Sequence, residues 1–207
     1  MRKTTLFLAY FLCTASAFAQ PSNDECSSPI VLPAALTWCS PVDAYTNLAA
    51  TPSAYGAPGC FGSVQSDVWF AFTALATDVT ITVRGATAQA PGGDLQNPQV
   101  ALYFGSCGGV INELVCDASS GNNNIAEAYK GGLFVGSTYL IRVQGGGGQE
   151  GTFQICINNY NPPIEPTSDC PTSSILCDKS PFVVQYVTGA GSNNSEMQDA
   201  TCFNNGV

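Results

Sequence analysis

Short apolar segments separated by turn-forming residues recur along this chain and predict β-strands rather than helices. The segment Asp67–Thr73 is apolar on both faces, which is typical of a central strand. In the next segment Val79, Ile81 and Val83 alternate with two threonines, so the three apolar side chains are expected to face a core. Further strand segments are found at 99–104, 138–144 and 151–157.

Glycine, proline and asparagine separate these segments at 91–94, 105–109 and 121–124. The four glycines at 145–148 predict a hairpin tip between two strands, because glycine tolerates the positive φ of tight turns. No segment has the periodicity of an amphipathic helix. The chain is therefore predicted to be all-β, with two packed antiparallel sheets around one core.

The N-terminus has the pattern of a secretory signal peptide. Arg2 and Lys3 precede an apolar run at 6–12, and small residues follow up to Ala19. This pattern predicts cleavage between Ala19 and Gln20, and a secreted or cell-surface protein. The apolar run is too short to span a bilayer, and no later stretch is apolar enough to do so.

The composition further limits the kinds of functional site that the chain can contain. The chain has ten cysteines and no histidine, and nine cysteines follow the predicted signal peptide. In an exported chain this cysteine content indicates a disulfide framework. The lack of histidine argues against zinc sites built on Cys and His and against Ser-His-Asp or Cys-His catalysis.

The net charge argues against nucleic acid as a partner. The net charge is −9, and it becomes −11 when the signal peptide removes Arg2 and Lys3, since four basic residues then face fifteen acidic ones. Such a surface repels nucleic acid and anionic membranes.

A repeat indicates the domain organisation. Cys26 and Cys60 recur as Cys170 and Cys202, at offsets of 144 and 142 residues. Two anchors at nearly one offset predict a tandem repeat, whose second copy is incomplete here. The predicted organisation is a signal peptide at 1–19, a β-sandwich module at 20–161, a proline-rich linker at 162–168 and an incomplete second module at 169–207.

The six cysteines of the first module allow fifteen pairings. The repeat reduces the number of pairings, because Cys177 and Cys202 match Cys39 and Cys60. We therefore expect each copy to bridge this pair of cysteines. A glycine-rich turn separates Cys107 from Cys116, which predicts that they lie on neighbouring strands. One cysteine at each end of the module then remains. The predicted bridges are Cys26–Cys156, Cys39–Cys60, Cys107–Cys116 and Cys177–Cys202, with Cys170 a free thiol.

Calcium is the one cofactor that the residues suggest. The acidic residues near turns or strand starts carry the oxygen ligands that calcium prefers; they are Asp24, Glu25, Asp67, Asp94 and Asp117. Asp24, Asp67 and Asp117 are the three that we take as candidate ligands. No loop has a dense acidic pattern, however, and the alternative for Asp67 is that it caps a turn. No pairing of carboxylates indicates a glycosidase. We therefore expect no catalytic site and no obligatory cofactor.

Aromatic residues offer a second kind of candidate site. Trp38, Tyr45 and Tyr55 lie in the loop-rich region around 39–60, where exposed rings would stack against sugars. Core packing is the competing interpretation, above all for Trp38.

The strand motif DVWF at 67–70 and the motif LYFGSCG at 102–108 resemble the pre-peptidase C-terminal-like β-sandwich domains of secreted bacterial proteins. The resemblance covers residues 23–160 and the start of the second copy, and it extends to tandem copies in large surface proteins of Bacteroidetes. It implies a jelly-roll-like, non-catalytic sandwich attached to proteases, adhesins or other surface machinery. It also implies type IX secretion or a protein associated with gliding motility.

Together these observations predict a non-catalytic extracellular module that acts in adhesion or as a structural spacer. Its expected partner is a surface glycan or protein. Two alternatives stay open: an accessory domain of a secreted protease or other hydrolase whose catalytic domain lies outside 1–207, and a carbohydrate-binding module.

Overall fold

The computed structural model describes residues 20–119 and 123–162, which form a sandwich of two β-sheets. These residues contain ten strands, one 3-10 turn and no α-helix. The strands are β1 (Ile30–Val31), β2 (Thr37–Cys39), β3 (Tyr45–Thr46), β4 (Asp67–Thr73), β5 (Asp78–Arg84), β6 (Pro98–Gly105), β7 (Ile111–Ala118), β8 (Ile125–Lys130), β9 (Thr138–Gly145) and β10 (Thr152–Tyr160).

Sheet A has the strand order β1-β4-β9-β6-β7, and sheet B has the order β2-β10-β5-β8 with β3 also paired to β10. The short β1 runs parallel to β4, and every other pairing is antiparallel. The predicted all-β, two-sheet sandwich is thus confirmed. The five strand segments predicted from the sequence correspond to β4, β5, β6, β9 and β10.

The main core lies between the sheets. The predicted alternation in β5 is confirmed, because Val79, Ile81 and Val83 are fully buried. Across the core, Phe70 of β4 meets Phe153 of β10 edge to face, with ring centroids 6.0 Å apart. Burial of each such side chain contributes about 1.5–3 kcal/mol, so this layer accounts for much of the stability of the sandwich.

A second, smaller core lies on the outer face of sheet A. Trp69 and Ala71 of β4 pack there with Ala101, Tyr103 and other buried residues. Strand β4 is apolar on both faces because both of its faces are covered.

The glycine run at 145–148 does not form a hairpin tip. Strand β9 pairs with β4 and β6 in sheet A, whereas β10 pairs with strands of sheet B. The glycines instead carry the chain from one sheet to the other. The expected positive φ is found at Gly147 (69°) and Gly148 (75°). The glycine run therefore predicts the turn correctly, but it does not predict which sheet β10 joins.

A buried asparagine fastens the turn between β4 and β5 to β10. The side-chain oxygen of Asn159 accepts hydrogen bonds from the Leu75 and Ala76 amides, at 2.6 and 3.0 Å. Its amide nitrogen donates to the Ala76 and Asp78 carbonyls, at 3.0 and 2.6 Å. One side chain thus makes four hydrogen bonds to the backbone of this turn.

Substitution Asn159→Ala is expected to lower the free energy of unfolding by about 2–4 kcal/mol, because it removes four hydrogen bonds and leaves buried backbone groups unpaired. Chemical denaturation measures the loss. The neighbouring Asn158→Ala is the matched control, since the Asn158 side chain is exposed and, within the described part of the chain, is bonded to Thr37; its effect should stay within about 0.5 kcal/mol. Equal effects of the two substitutions would contradict this role for Asn159.

Candidate functional site

The first module contains three disulfides, but not the three that the sequence predicts. Cys107 lies in the turn between β6 and β7, whereas Cys116 lies on β7 opposite Ala101, so the two are not neighbours. Cys39 on β2 and Cys156 on β10 face each other directly in sheet B. The predictions Cys26–Cys156, Cys39–Cys60 and Cys107–Cys116 are wrong; the observed bridges are Cys26–Cys107, Cys39–Cys156 and Cys60–Cys116.

The outer face of sheet A is covered by residues 51–66, which we call the roof. Tyr55 of the roof packs edge to face against Trp69, with ring centroids 5.6 Å apart. The bridge Cys60–Cys116 ties the roof to β7, and Cys26–Cys107 ties the N-terminal segment to the β6–β7 turn. Two of the three bridges therefore hold the covering of sheet A in place.

A buried ion pair lies beneath the roof. Arg142 Nε donates to Asp67 Oδ2 at 2.9 Å, and both side chains are 0 % exposed. A second guanidinium nitrogen of Arg142 donates to the Gly56 carbonyl at 2.8 Å, and the Ser53 amide donates to Asp67 at 2.9 Å. The guanidinium also lies 5.1 Å from the centre of the Trp69 ring, a cation–π distance. Both charged groups thus bind the roof.

The structure does not bring the three calcium candidates together. Asp67 and Asp117 lie on strands three spacings apart in sheet A, roughly 14 Å. Asp67 is engaged by Arg142, as described above. The Asp24 carboxylate accepts two hydrogen bonds from Thr51, and Asp117 accepts one from the Glu127 amide. Residues 20–119 and 123–162 contain no group of three or more Cys, Asp or Glu side chains placed to hold a metal ion.

The fold does bring together two carboxylates that the sequence did not pair, those of Asp43 and Asp94. The Thr152 hydroxyl lies between the carboxylates of Asp43 and Asp94, 2.9 Å from Asp94 Oδ1. Hydrogen bonds from the amide and hydroxyl of Thr152 hold the pKa of Asp94 below its usual range, since they favour the charged form. A general acid requires the opposite shift.

The aromatic candidates for sugar stacking pack inward. Trp38 packs against the main core, as one of the two interpretations expects. Tyr45 lies edge to face on Phe70 at 4.9 Å. The Tyr55 hydroxyl accepts a hydrogen bond from the Gly108 amide at 2.7 Å. The exposed aromatic side chains among the described residues include Phe104, Tyr129 and Phe134.

The outer face of sheet B, which we call the open face, has a different character. It carries polar side chains, half-buried or exposed for the most part, at alternating positions of three adjacent strands, where the register of the sheet sets them side by side. They are Thr80, Thr82 and Arg84 of β5, Glu127 and Tyr129 of β8, and Gln154 and Asn158 of β10. Hydroxyl, amide and tyrosine groups in such an array offer hydrogen bonds to a polar ligand.

A cavity of about 350 Å³ opens at one end of the open face. Arg84 and Ile125, which are paired neighbours on β5 and β8, line this cavity. The loop at 87–90 and Asn123 complete the lining. This volume falls in the range of small-molecule sites.

At the other end of the open face, Tyr129 is held by a hydrogen bond. Its hydroxyl donates to Asp78 Oδ1 at 2.5 Å, although 54 % of the side chain is exposed. This bond, with smaller contributions from burial and nearby charge, raises the pKa of Tyr129 to about 12. The orientation of the exposed ring is thereby fixed.

The Tyr129 phenol is expected to ionise near pH 12, and Asp78→Asn is expected to lower its pKa toward the ordinary value near 10. Because the folded pKa is raised, the stability from this bond is present below about pH 10 and is lost as the pH rises through about 12. Ultraviolet titration measures the phenolate, and subtraction of a Tyr129→Phe curve isolates this residue. A Tyr129 titration that is unchanged in Asp78→Asn would refute the assignment.

Comparison with family models, with curated proteins and with solved structures found no match for this chain. The family resemblance stated above thus stays a prediction. Among the residues that the structure describes, no helix is long and apolar enough to cross a membrane. The signal peptide at 1–19, Cys170, the bridge Cys177–Cys202 and the second module lie outside the described residues.

Proposed function

We propose that the chain is an exported, non-catalytic module that acts in adhesion at a cell surface or in the extracellular space. The observation that carries the proposal is the contrast between the two outer faces. Sheet A is covered by the roof and the N-terminal segment, each fastened by one disulfide, and a buried ion pair also binds the roof. Sheet B presents a row of hydrogen-bonding side chains and a cavity. A rigid scaffold with one polar face suits attachment better than it suits chemistry.

Export is supported by the disulfides. The three bridges join cysteines whose separation in the sequence is between 56 and 117 positions. Such bridges are typical of proteins that fold in oxidising compartments. The predicted signal peptide agrees with that compartment. A place in the tandem-repeat surface proteins of Bacteroidetes, with type IX secretion, is the finer form of this proposal.

The ion pairing and the pKa of two acidic side chains support the non-catalytic part of the proposal. Asp67 is neutralised by Arg142, and the pKa of Asp94 is lowered rather than raised. The negative net charge of the chain favours a glycan or protein partner over nucleic acid.

Attachment of beads that carry the whole chain tests the proposal. We expect retention under flow on a polysaccharide-coated or protein-coated surface and none on a bare one. Beads that carry reduced and alkylated chain are the control, because adhesion by a folded face requires the disulfides. Retention of neither kind of bead on any coated surface, or hydrolysis of the coating, would contradict an adhesive, non-catalytic role.

A further inference from the structure

We propose that the Arg84 cavity binds the carboxylate of an acidic sugar, and that the attached neutral sugars run along the open face toward Tyr129. The inference rests on the proposed adhesive function and names the ligand class for it.

The charge of Arg84 is the first support. The described residues contain three basic side chains, Arg84, Lys130 and Arg142. Among them, the one ion pair found joins Arg142 to Asp67. Arg84 therefore lines the cavity with no carboxylate partner among residues 20–119 and 123–162, in a chain whose net charge is −9. A guanidinium presents a planar fork of donors that matches a carboxylate in two parallel hydrogen bonds.

The cavity wall is the second support. Thr87, Gln89 and Asn123 also line the cavity and carry polar groups, whereas most of its surface is apolar and includes Ala88, Ala90 and Ile125. The Asn123 side-chain oxygen accepts a hydrogen bond from the Ile125 amide at 3.3 Å, which leaves the NH2 group of Asn123 to donate to a ligand. One cation, three amide or hydroxyl side chains and a predominantly apolar wall match a sugar acid, which has a carboxylate, hydroxyls and apolar C–H faces.

The path beyond the cavity favours a glycan. Along β5 the polar side chains at Arg84, Thr82 and Thr80 lie on one face. The four residue-to-residue steps from Arg84 to Thr80 span about 14 Å. Tyr129 lies opposite Thr80 at the far end, with its ring exposed and held by Asp78. Hydroxyl groups followed by a fixed aromatic ring suit a short run of sugars.

Glu127 limits where along the ligand a carboxylate can lie. It lies opposite Thr82, between the cavity and Tyr129, and accepts a hydrogen bond from that threonine at 3.3 Å. A second carboxylate on the ligand would meet this negative charge. The geometry therefore suits a glycan with one acidic terminal sugar and neutral sugars behind it, and it disfavours uniformly charged polyanions.

Calorimetry of the whole chain with two matched probes tests the inference. One probe is a glucose trisaccharide that ends in glucuronic acid, and the other is the same trisaccharide ending in glucose. We expect the acidic probe to bind at least about tenfold more tightly. Salt should weaken the acidic probe more than the neutral one.

Variants locate the site. Arg84→Gln should weaken the acidic probe at least about tenfold, and Arg84→Lys should retain part of the affinity. Glu127→Gln should strengthen that probe about twofold, since it removes a negative charge nearby. Tyr129→Ala should weaken the trisaccharide but not free glucuronate. Lys130→Gln is the matched charge control, because Lys130 lies opposite Val79 and not beside the cavity; it should change nothing.

Two results would overturn the inference: equal binding of both probes, or equal effects of Arg84→Gln and Lys130→Gln in variants whose circular dichroism is native. Its failure is distinguishable from failure of the proposed function. If beads still adhere to a coated surface while glucuronate does not bind, adhesion stands and the ligand class is wrong. If folded chain adheres to no surface, the adhesive function itself fails.

Discussion

Arg142→Met is expected to lower the free energy of unfolding by about 3–5 kcal/mol, since removal of one partner leaves a buried charge unpaired. In this chain the unpaired group is Asp67, which is 0 % exposed. The substitution also removes the hydrogen bond to the Gly56 carbonyl and the contact with the Trp69 ring. The roof thus loses one of its attachments to sheet A together with the ion pair.

Chemical denaturation without reductant measures this effect in a double-mutant cycle. The double variant with Arg142→Met and Asp67→Leu should be more stable than Arg142→Met alone, because no buried charge is left without a partner. Arg84→Met is the control, since Arg84 is half-buried and makes no ion pair among the described residues; it should cost less than about 0.5 kcal/mol. Similar losses for the two arginines would show that the buried pair does not hold the roof.

Opening the Cys39–Cys156 bridge by a double alanine substitution is expected to cost about 4–5 kcal/mol. On the chain-entropy model a bridge that spans 117 residues removes much freedom from the unfolded chain. The Cys60–Cys116 bridge, which spans 56 residues, should be worth about 4 kcal/mol on the same model. Denaturation of each double variant gives the two values.

Non-reducing peptide mapping checks the connectivity behind this prediction. The expected fragments join Cys39 to Cys156 and Cys60 to Cys116. A fragment that joins Cys39 to Cys60 would restore the pairing inferred from the repeat and would contradict the observed fold. Loss of the sheet B bridge should leave the roof resistant to protease, whereas loss of the roof bridge should expose it.

The long, apolar strands could be predicted from the sequence because alternation needs several residues to be seen. Strands β4 and β5 have seven residues each and β10 has nine. Strands β1 and β3 have two residues each, too few for any period, and β7, an edge strand of sheet A, has no regular alternation of apolar and polar residues. These elements depend on the neighbours that they pair with, which local sequence does not specify.

The site could be predicted only in fragments. The disulfide pairing depends on which face of the sandwich each loop reaches. Matching positions in a sequence repeat do not specify that face. One signal was available and not used: Arg142 interrupts an apolar strand, and Asp67 begins another. A charge at a core position requires a partner of opposite sign, so the two could have been matched. The cavity at Arg84 is formed by a loop and two strands, and no local pattern indicates it.

Attachment through the open face of sheet B is tested most directly by the flow assay on a polysaccharide-coated surface, with paired surface variants of the whole chain. The open-face variant carries Arg84→Gln and Tyr129→Ala. The comparison variant carries Val110→Ser and Phe134→Ser, which alter exposed apolar residues in loops outside that face. We expect the open-face variant to lose attachment and the comparison variant to keep it. Loss of attachment in the comparison variant, with full attachment of the open-face variant, would contradict the assignment.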